Sequence, residues 1–110
     1  MEIQNPELAC QPVVIVGAPR SGTNMLRDVL TKLDEVSTWP CDEINYIWRH
    51  GNVSHISDEF VRENATPLVK KYVRGKFKEI ANEHKVDVVI EKTCANSLRV
   101  DFVDEILPEA

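Results

Sequence analysis

A loop that opens at Gly17 and closes at Gly22 carries the residue types that hold an anion. It contains a proline, a serine and Arg20, which supplies a fixed positive charge. A glycine loop that leads from a strand into a helix directs several unpaired backbone N–H groups, and the positive end of the helix dipole, at one point. We therefore expect a phosphate-type group to bind at this loop.

The segments on either side of the loop predict a strand followed by a helix. The residues from Val13 to Val16 are all apolar and β-branched, which is typical of a parallel strand buried on both sides. Apolar residues then recur at intervals of three and four, so a helix should begin between Ser21 and Thr23. These apolar residues are Leu26, Val29, Leu30 and Leu33. The order of elements indicates an α/β fold with a parallel sheet.

The loop agrees only in part with the nucleotide-binding pattern G-x-x-x-x-G-K-[ST]. Gly17 and Gly22 match its two glycines. Thr23 stands where the pattern has lysine, and Asn24 stands where it has the hydroxyl that binds magnesium. These differences argue against an ATPase or a kinase, and a degenerate P-loop kinase or NTPase stays an alternative. So does an ordinary strand-to-helix turn.

A second strand, polar loop and helix follow later in the chain. Residues 86–90 predict another short strand, and residues 102–107 have helix-like spacing. Lys92 lies at the carboxyl end of this strand, where open α/β sheets bind their ligands. Lys92 is therefore a candidate ligand-binding cation. For Lys92 and Arg99 alike, a solvated charge at the edge of the sheet is the alternative.

The pattern G-x-P-R-S-G-T resembles the loop of the sulfotransferases that use 3′-phosphoadenosine 5′-phosphosulfate (PAPS). In that family the loop grips the 5′-phosphosulfate of the donor without a metal, with its cation at the position of Arg20. The resemblance implies a P-loop-type, three-layer α/β/α fold with a parallel sheet. It assigns donor binding to Gly17, Pro19, Arg20, Ser21, Gly22, Thr23 and Asn24, and Asn24 departs from the Thr or Ser that is frequent there.

A second segment extends the resemblance. Sulfotransferases commonly carry an E-K-[ST]-P-like segment after a core strand, with its lysine directed into the donor and acceptor site. Glu91, Lys92 and Thr93 match this segment, whereas Cys94 replaces the frequent proline. The resemblance implies that Lys92 stabilises the sulfuryl group or orients the acceptor.

An acidic residue after the first helix completes the implied reaction. An acceptor hydroxyl must lose its proton as its oxygen attacks sulfur. Tyrosylprotein and related sulfotransferases carry a general base in this region, and Glu43 matches it best by position, with Asp42 as the neighbour that could be confused with it. The alternative is a pair of solvent-facing carboxylates at the start of a helix. The implied catalytic residues are Arg20, Glu43 and Lys92.

Length and composition restrict the function further. A chain of 110 residues with 43% hydrophobic content builds one modest core, so residues 1–110 predict one domain. The net charge of −5 argues against nucleic-acid binding. No apolar run suits a membrane span, and residues 1–6 lack the basic start of a signal peptide, so we expect a cytoplasmic protein. The cysteines and histidines lack metal-ligand spacing, which predicts reduced thiols and no metal.

The resemblance corresponds to the N-terminal portion of a sulfotransferase domain. In the family, a segment like Leu107–Ala110 is followed by a core strand and then by the Arg and Ser residues that bind the donor's 3′-phosphate. We therefore expect a partial enzyme, truncated after the second strand and helix unit, which by itself binds the donor poorly and is inactive. Its expected partners are PAPS, its product adenosine 3′,5′-bisphosphate, and an unidentified acceptor hydroxyl or amine. A module that binds a nucleotide without catalysis is the alternative from another class.

The stretch between the two strands predicts mostly helix. Thr66 followed by Pro67 is typical of a helix start. The helix that follows should turn its apolar residues to a core and its basic residues to solvent. A shorter helix is predicted from Ser57 to Glu63. The aromatic residues that follow the first helix, Trp39, Tyr46 and Trp48, are expected in the core more than beside an acceptor.

Overall fold

The structure is a computed structural model that describes residues 8–110. The expectation drawn from residues 1–6, the lack of a signal peptide, lies outside this range. The regular elements are β1 (Gln11–Ile15), α1 (Thr23–Leu30), β2 (Val36–Ser37), α2 (Asn45–Trp48), α3 (Pro67–His84), β3 (Val88–Lys92) and α4 (Val100–Ile106). Short 3-10 turns at Arg62–Asn64 and Cys94–Leu98 precede α3 and α4.

Three parallel strands form one small sheet in the order β1-β3-β2. Gln11 lies opposite Val88 and Ile15 lies opposite Lys92, while Val36 pairs with Val88 from the other side. Parallel strands need crossover connections, which α1 and α3 supply here. The predicted α/β class with a parallel sheet is confirmed.

The strands differ in detail from those predicted. Among the described residues β1 lies at the edge of the sheet, so Val13 and Val14 are only half-buried and Val16 is exposed. The prediction of a strand buried on both sides is therefore wrong. β3 continues through Glu91 to Lys92, so the lysine lies on the strand itself. β2 was not predicted, because a strand of two residues is too short to show a periodic pattern.

Helix α1 begins at Thr23, within the predicted range. Amphipathic spacing ordinarily marks a face that packs on a core, yet Leu26, Val29 and Leu33 are each about half exposed and no residue of α1 is buried. The helix contacts β3 but adds no side chain to the hydrophobic core. Its role in the described structure is to place its N-terminus next to the end of the sheet.

The hydrophobic core is built from α2, α3, α4 and β3. Phe77 of α3 and Phe102 of α4 are fully buried. Trp39 and Trp48 pack edge-on against Phe77, with ring centroids 4.9 and 6.0 Å away. Both tryptophans are therefore core residues as expected, whereas Tyr46 is exposed.

Helix α3 begins where the sequence predicts. The Thr66 side chain accepts a hydrogen bond from the Val69 N–H at 3.3 Å, and Pro67 occupies the first turn. The prediction that all its basic residues face solvent is wrong for Arg74, which is buried and donates to Glu109 at 2.7 and 2.8 Å. Neither α3 nor any other helix within residues 8–110 is long and apolar enough to cross a membrane.

The shorter helix predicted from Ser57 to Glu63 does not form. Only Arg62–Asn64 adopt a 3-10 turn there. The Asn64 side chain accepts a hydrogen bond from the Val61 N–H at 2.9 Å. This contact is of the capping-box kind and starts the turn at Val61, so Ser57 to Phe60 lie before it.

Replacing Thr66 with alanine removes the acceptor of the Val69 N–H at the start of α3. We expect the free energy of unfolding in urea to fall by about 1 kcal/mol. Thr66→Ser keeps the hydroxyl and should differ from the unsubstituted chain by less than about 0.5 kcal/mol. Equal stability of the alanine and serine variants would show that this cap contributes nothing.

Candidate functional site

Three segments that are distant in the sequence meet around one cavity of about 280 Å³. They are the β1–α1 loop, the segment that precedes α2, and the end of β3. Ile15 and Lys92, the last residues of β1 and β3, lie opposite each other, so the carboxyl ends of both strands meet where α/β sheets bind ligands. The lining residues are Pro19, Arg20, Gly22, Thr23, Asn24, Asp42, Glu43, Lys92 and Cys94.

The β1–α1 loop forms a tight turn, with close packing at one glycine and positive φ angles at two residues. At Gly17 a Cβ atom would come within 2.7 Å of Cγ2 of Thr23. Arg20 and Gly22 have φ angles of 65° and 88°, and such values are uncommon outside glycine. The Ser21 hydroxyl donates to a carbonyl within the loop at 2.6 Å. Of the residues predicted to bind the donor, Gly17 and Ser21 thus shape the loop, and the others line the cavity.

Helix α1 begins at the wall of the cavity, since Gly22, Thr23 and Asn24 all line it. The first N–H groups of a helix have no partner within the helix. Gly22 at the N-cap offers no side chain to cap them, and the first turn contains no acidic residue. Together with the Arg20 guanidinium, these N–H groups make this end of the cavity positive.

An ion pair connects the other two segments at the cavity. Oε2 of Glu43 accepts hydrogen bonds from Nζ of Lys92 at 2.7 Å and from the Cys94 N–H at 2.9 Å. The Lys92 side chain is 3% exposed, whereas 34% of the Glu43 side chain is exposed. The ammonium is therefore held inside the protein, and the carboxylate covers it on the cavity side.

These contacts keep both partners of the pair charged at neutral pH. Burial raises the pKa of Glu43, but the hydrogen bonds from Lys92 and the Cys94 N–H outweigh it and hold the pKa below its ordinary value. Burial lowers the pKa of Lys92, and the Glu43 carboxylate more than compensates, so that pKa is raised. Burial and the nearby Glu43 raise the pKa of the Cys94 thiol, which stays protonated.

Asp42 lines the same cavity but has a different partner. Nη1 of Arg27 donates to the Asp42 carbonyl at 2.6 Å and to its carboxylate at 3.2 Å. The Asp42 side chain is largely exposed. The sequence left Asp42 and Glu43 as neighbouring candidates for a base, and of the two only Glu43 contacts Lys92.

A cluster of buried polar residues lies next to the cavity. Glu91 is 1% exposed and accepts hydrogen bonds from Nδ2 of Asn96 at 3.0 Å and from the Thr93 hydroxyl. Burial raises the pKa of Glu91 to about 7. Nε of Arg99 donates to Asn96 at 2.8 Å. The alternative that Arg99 is a solvated charge is therefore wrong, since Arg99 is also 1% exposed and does not line the cavity.

Sequence reasoning missed two features of this site. Cys94 lines the cavity, and only its position two residues beyond Lys92 could have indicated this. Glu91 faces away from Lys92, because successive residues of a strand point to opposite faces. A buried carboxylate has no sequence signal that distinguishes it from an exposed one.

Comparison of the chain with protein-family models, with curated proteins and with solved structures finds no match. Within residues 8–110, no group of three or more His, Cys, Asp or Glu side chains is arranged to hold a metal ion. The cavity's own chemistry therefore carries the functional argument: a positive loop on one side and a charged Glu43–Lys92 pair on the other.

Gly17→Ala places a methyl group against Thr23 and should destabilise the β1–α1 loop. We expect the free energy of unfolding to fall by about 1–3 kcal/mol, the usual cost of overpacking. Gly75→Ala is the matched control, because a Cβ there meets nothing within 4 Å and alanine is the better helix former. It should raise stability by about 0.5–1 kcal/mol. Urea unfolding of both variants checks this, and a neutral Gly17→Ala would contradict the close contact.

The Glu91 carboxyl should make the stability depend on pH. Its folded pKa of about 7 lies above the ordinary value of 4.5, so between these values the folded state keeps a proton that the unfolded chain has released. Stability is then fully present below about pH 4.5 and falls by about 3 kcal/mol as the pH rises through 7.

Glu91→Gln cannot titrate and isolates this contribution from that of the other carboxyls. Urea unfolding at about pH 5 and about pH 8 should show the extra loss only in the unsubstituted chain. The same pH dependence in both proteins would contradict the raised pKa.

Proposed function

We propose that this chain is part of a sulfotransferase that moves a sulfuryl group from PAPS to an acceptor hydroxyl or amine. In this proposal residues 1–110 are the N-terminal part of one P-loop-type domain with a three-layer α/β/α arrangement. The supporting observation is that Arg20, Glu43 and Lys92, chosen from three separate sequence patterns, line one cavity with Gly22, Thr23 and Asn24.

The cavity suits the charged end of the donor. Its volume of about 280 Å³ lies just below the range of roughly 300–1,000 Å³ for sites that enclose a drug-sized ligand. A phosphosulfate group is smaller and carries negative charge on every outer oxygen. The uncapped start of α1 and the Arg20 guanidinium supply N–H donors and positive charge for such a group.

Arg20, Glu43 and Lys92 have different roles in the transfer step. The acceptor oxygen or nitrogen forms a bond to sulfur while the bond from sulfur to the bridging phosphate oxygen breaks. Glu43 takes the acceptor's proton. Arg20 stabilises the electron pair that leaves on the phosphate oxygen of adenosine 3′,5′-bisphosphate, and Lys92 stabilises the sulfuryl oxygens.

The Glu43–Lys92 pair couples donor binding to the activation of the base. Sulfuryl oxygens of a bound donor compete with the Glu43 carboxylate for the Lys92 ammonium. As Lys92 turns to them, Glu43 loses one of the two hydrogen bonds that lower its pKa and keeps the one from the Cys94 N–H. Glu43 thereby becomes a stronger base when the donor is in place.

Donor binding is tested by calorimetry with adenosine 3′,5′-bisphosphate on the complete enzyme of which residues 1–110 are the proposed N-terminal part. Arg20→Ala should weaken binding at least about 10-fold, because a charge-assisted contact to an anion is lost. Lys78→Ala is the matched control, since it removes one positive charge from an exposed position on α3 and should change the affinity less than about 2-fold. Absence of binding, or equal weakening by both substitutions, would exclude this donor site. Magnesium-dependent ATP turnover would favour the kinase or NTPase alternative.

The base is tested by the release of labelled sulfate from PAPS, in which water serves as the acceptor. Glu43→Gln should lower the rate about 10²- to 10⁴-fold and leave unchanged the affinity for adenosine 3′,5′-bisphosphate, which lacks the sulfuryl group. Asp42→Asn is the matched control and should retain the rate within about 3-fold. Full turnover in Glu43→Gln would move the role to another residue. Nucleotide binding without any release in the complete unsubstituted enzyme would favour a non-catalytic module.

A further inference from the structure

Two chains of buried hydrogen bonds run from Glu91 to the residues that follow Glu43. In the first chain the Ile44 N–H donates to Oγ1 of Thr93 at 3.2 Å, and the Thr93 hydroxyl donates to Oε1 of Glu91. Ile44 is 1% exposed and Thr93 is fully buried. The backbone next to Glu43 is therefore tied to the buried carboxylate through one hydroxyl.

The second chain starts from the other carboxylate oxygen. Nδ2 of Asn96 donates to Oε2 of Glu91 at 3.0 Å, and Oδ1 of Asn96 accepts from Nε of Arg99 at 2.8 Å. Nη2 of Arg99 then donates to Oδ1 of Asn45 at 2.6 Å. This chain ends two residues after Glu43, and Asn96 and Arg99 are buried.

The segment that carries Glu43 lies outside the regular elements. Residues 41–44 belong to no helix or strand, and Ile44 at the N-cap of α2 has no side-chain cap. Hydrogen bonds of the sheet therefore do not fix the position of Glu43 in the cavity wall. The two chains of hydrogen bonds that start at Glu91 end at Ile44 and Asn45, the two residues directly after Glu43.

The direction of the first chain is fixed by chemistry. Above the Glu91 pKa of about 7, the carboxylate has no proton to give and the Ile44 N–H is itself a donor, so the single proton of the Thr93 hydroxyl goes to Glu91. Asn96 also donates, so both oxygens of Glu91 act as acceptors. The contacts that form the two chains each join a donor to an acceptor, while Nη1 of Arg99 is buried without a hydrogen-bond partner among the described residues.

We propose that Glu91 and Thr93 are positioning residues that hold the Glu43 carboxylate at the cavity through these buried hydrogen bonds. The inference rests on the proposed function, in which Glu43 is the base. It assigns to the Glu and Thr of the segment 91–93 a task distinct from that of Lys92, which contacts Glu43 directly.

Thr93→Val tests the first chain, because valine keeps the shape of threonine and lacks the hydroxyl. Hydrogen exchange at the Ile44 amide should become at least about 10-fold faster, since its acceptor is gone. The titration midpoint of the Glu43 carboxyl, followed by carbon-13 NMR, should move up towards the ordinary value. Thr93→Ser restores the hydroxyl and should return both readings to those of the unsubstituted chain.

Sulfate release from PAPS should fall about 10- to 100-fold in Thr93→Val, the cost of a base displaced by about 1 Å. The affinity for adenosine 3′,5′-bisphosphate should stay within about 2-fold, because the donor loop is untouched. A rate and a Glu43 titration that are unchanged in folded Thr93→Val would overturn the proposal. So would a serine variant that behaves like the valine variant.

A second variant and a control on the proposed function complete the test. If Thr93→Val fails to fold, Asn45→Ala interrupts the second chain of hydrogen bonds at a half-buried position. This variant should still raise the titration midpoint of the Glu43 carboxyl. An unchanged midpoint would overturn the proposal. If the complete unsubstituted enzyme binds no nucleotide and releases no sulfate, the proposed function fails. The Ile44 exchange and the Glu43 titration then decide by themselves whether Glu91 and Thr93 position Glu43.

Discussion

The parallel pairing of β1 with β3 determines where the chemical groups of this protein meet. Ile15 lies opposite Lys92, and each is the last residue of its strand. The loop that leaves β1 and the lysine that ends β3 must therefore lie at the same edge of the sheet. A shift of one residue in this register would turn Lys92 to the other face and separate it from Glu43.

Charged side chains inside this small protein are arranged in complementary sets. Lys92 is paired with Glu43, Arg74 with Glu109, and Glu91 is enclosed by donors. Burying a charge costs free energy that its partner only partly returns. Such sets therefore add little to stability, but each specifies one geometry, because any displacement leaves a buried charge without its partner. Two of the three sets lie at or next to the cavity, where geometry matters most for chemistry.

Local signals in the sequence were sufficient to predict the elements around the cavity. They were not sufficient to predict the tertiary contacts of those elements. The glycine loop and the spacing of apolar residues located the start of α1, and Thr66 with Pro67 located the start of α3. The exposure of the apolar face of α1 could not be read from its pattern, which describes the helix and not its neighbours. The sequence left Arg99 open between a ligand-binding cation and a solvated charge, because its burial depends on Asn96 and Asn45, one of them 54 residues away. Glu43 and Lys92 were chosen separately, and only the fold shows that they touch.

The outer edge of β1 and the uncovered face of α1 bear on how the protein behaves when it is concentrated. β1 has a partner strand on one side only among the described residues, and Pro12 removes one N–H group that this edge could offer to another strand. The remaining backbone groups and the exposed apolar side chains favour association of copies. The net charge of −5 opposes it through a repulsion that dissolved salt screens. The ionic strength of the buffer therefore sets the balance between dispersed chains and aggregates.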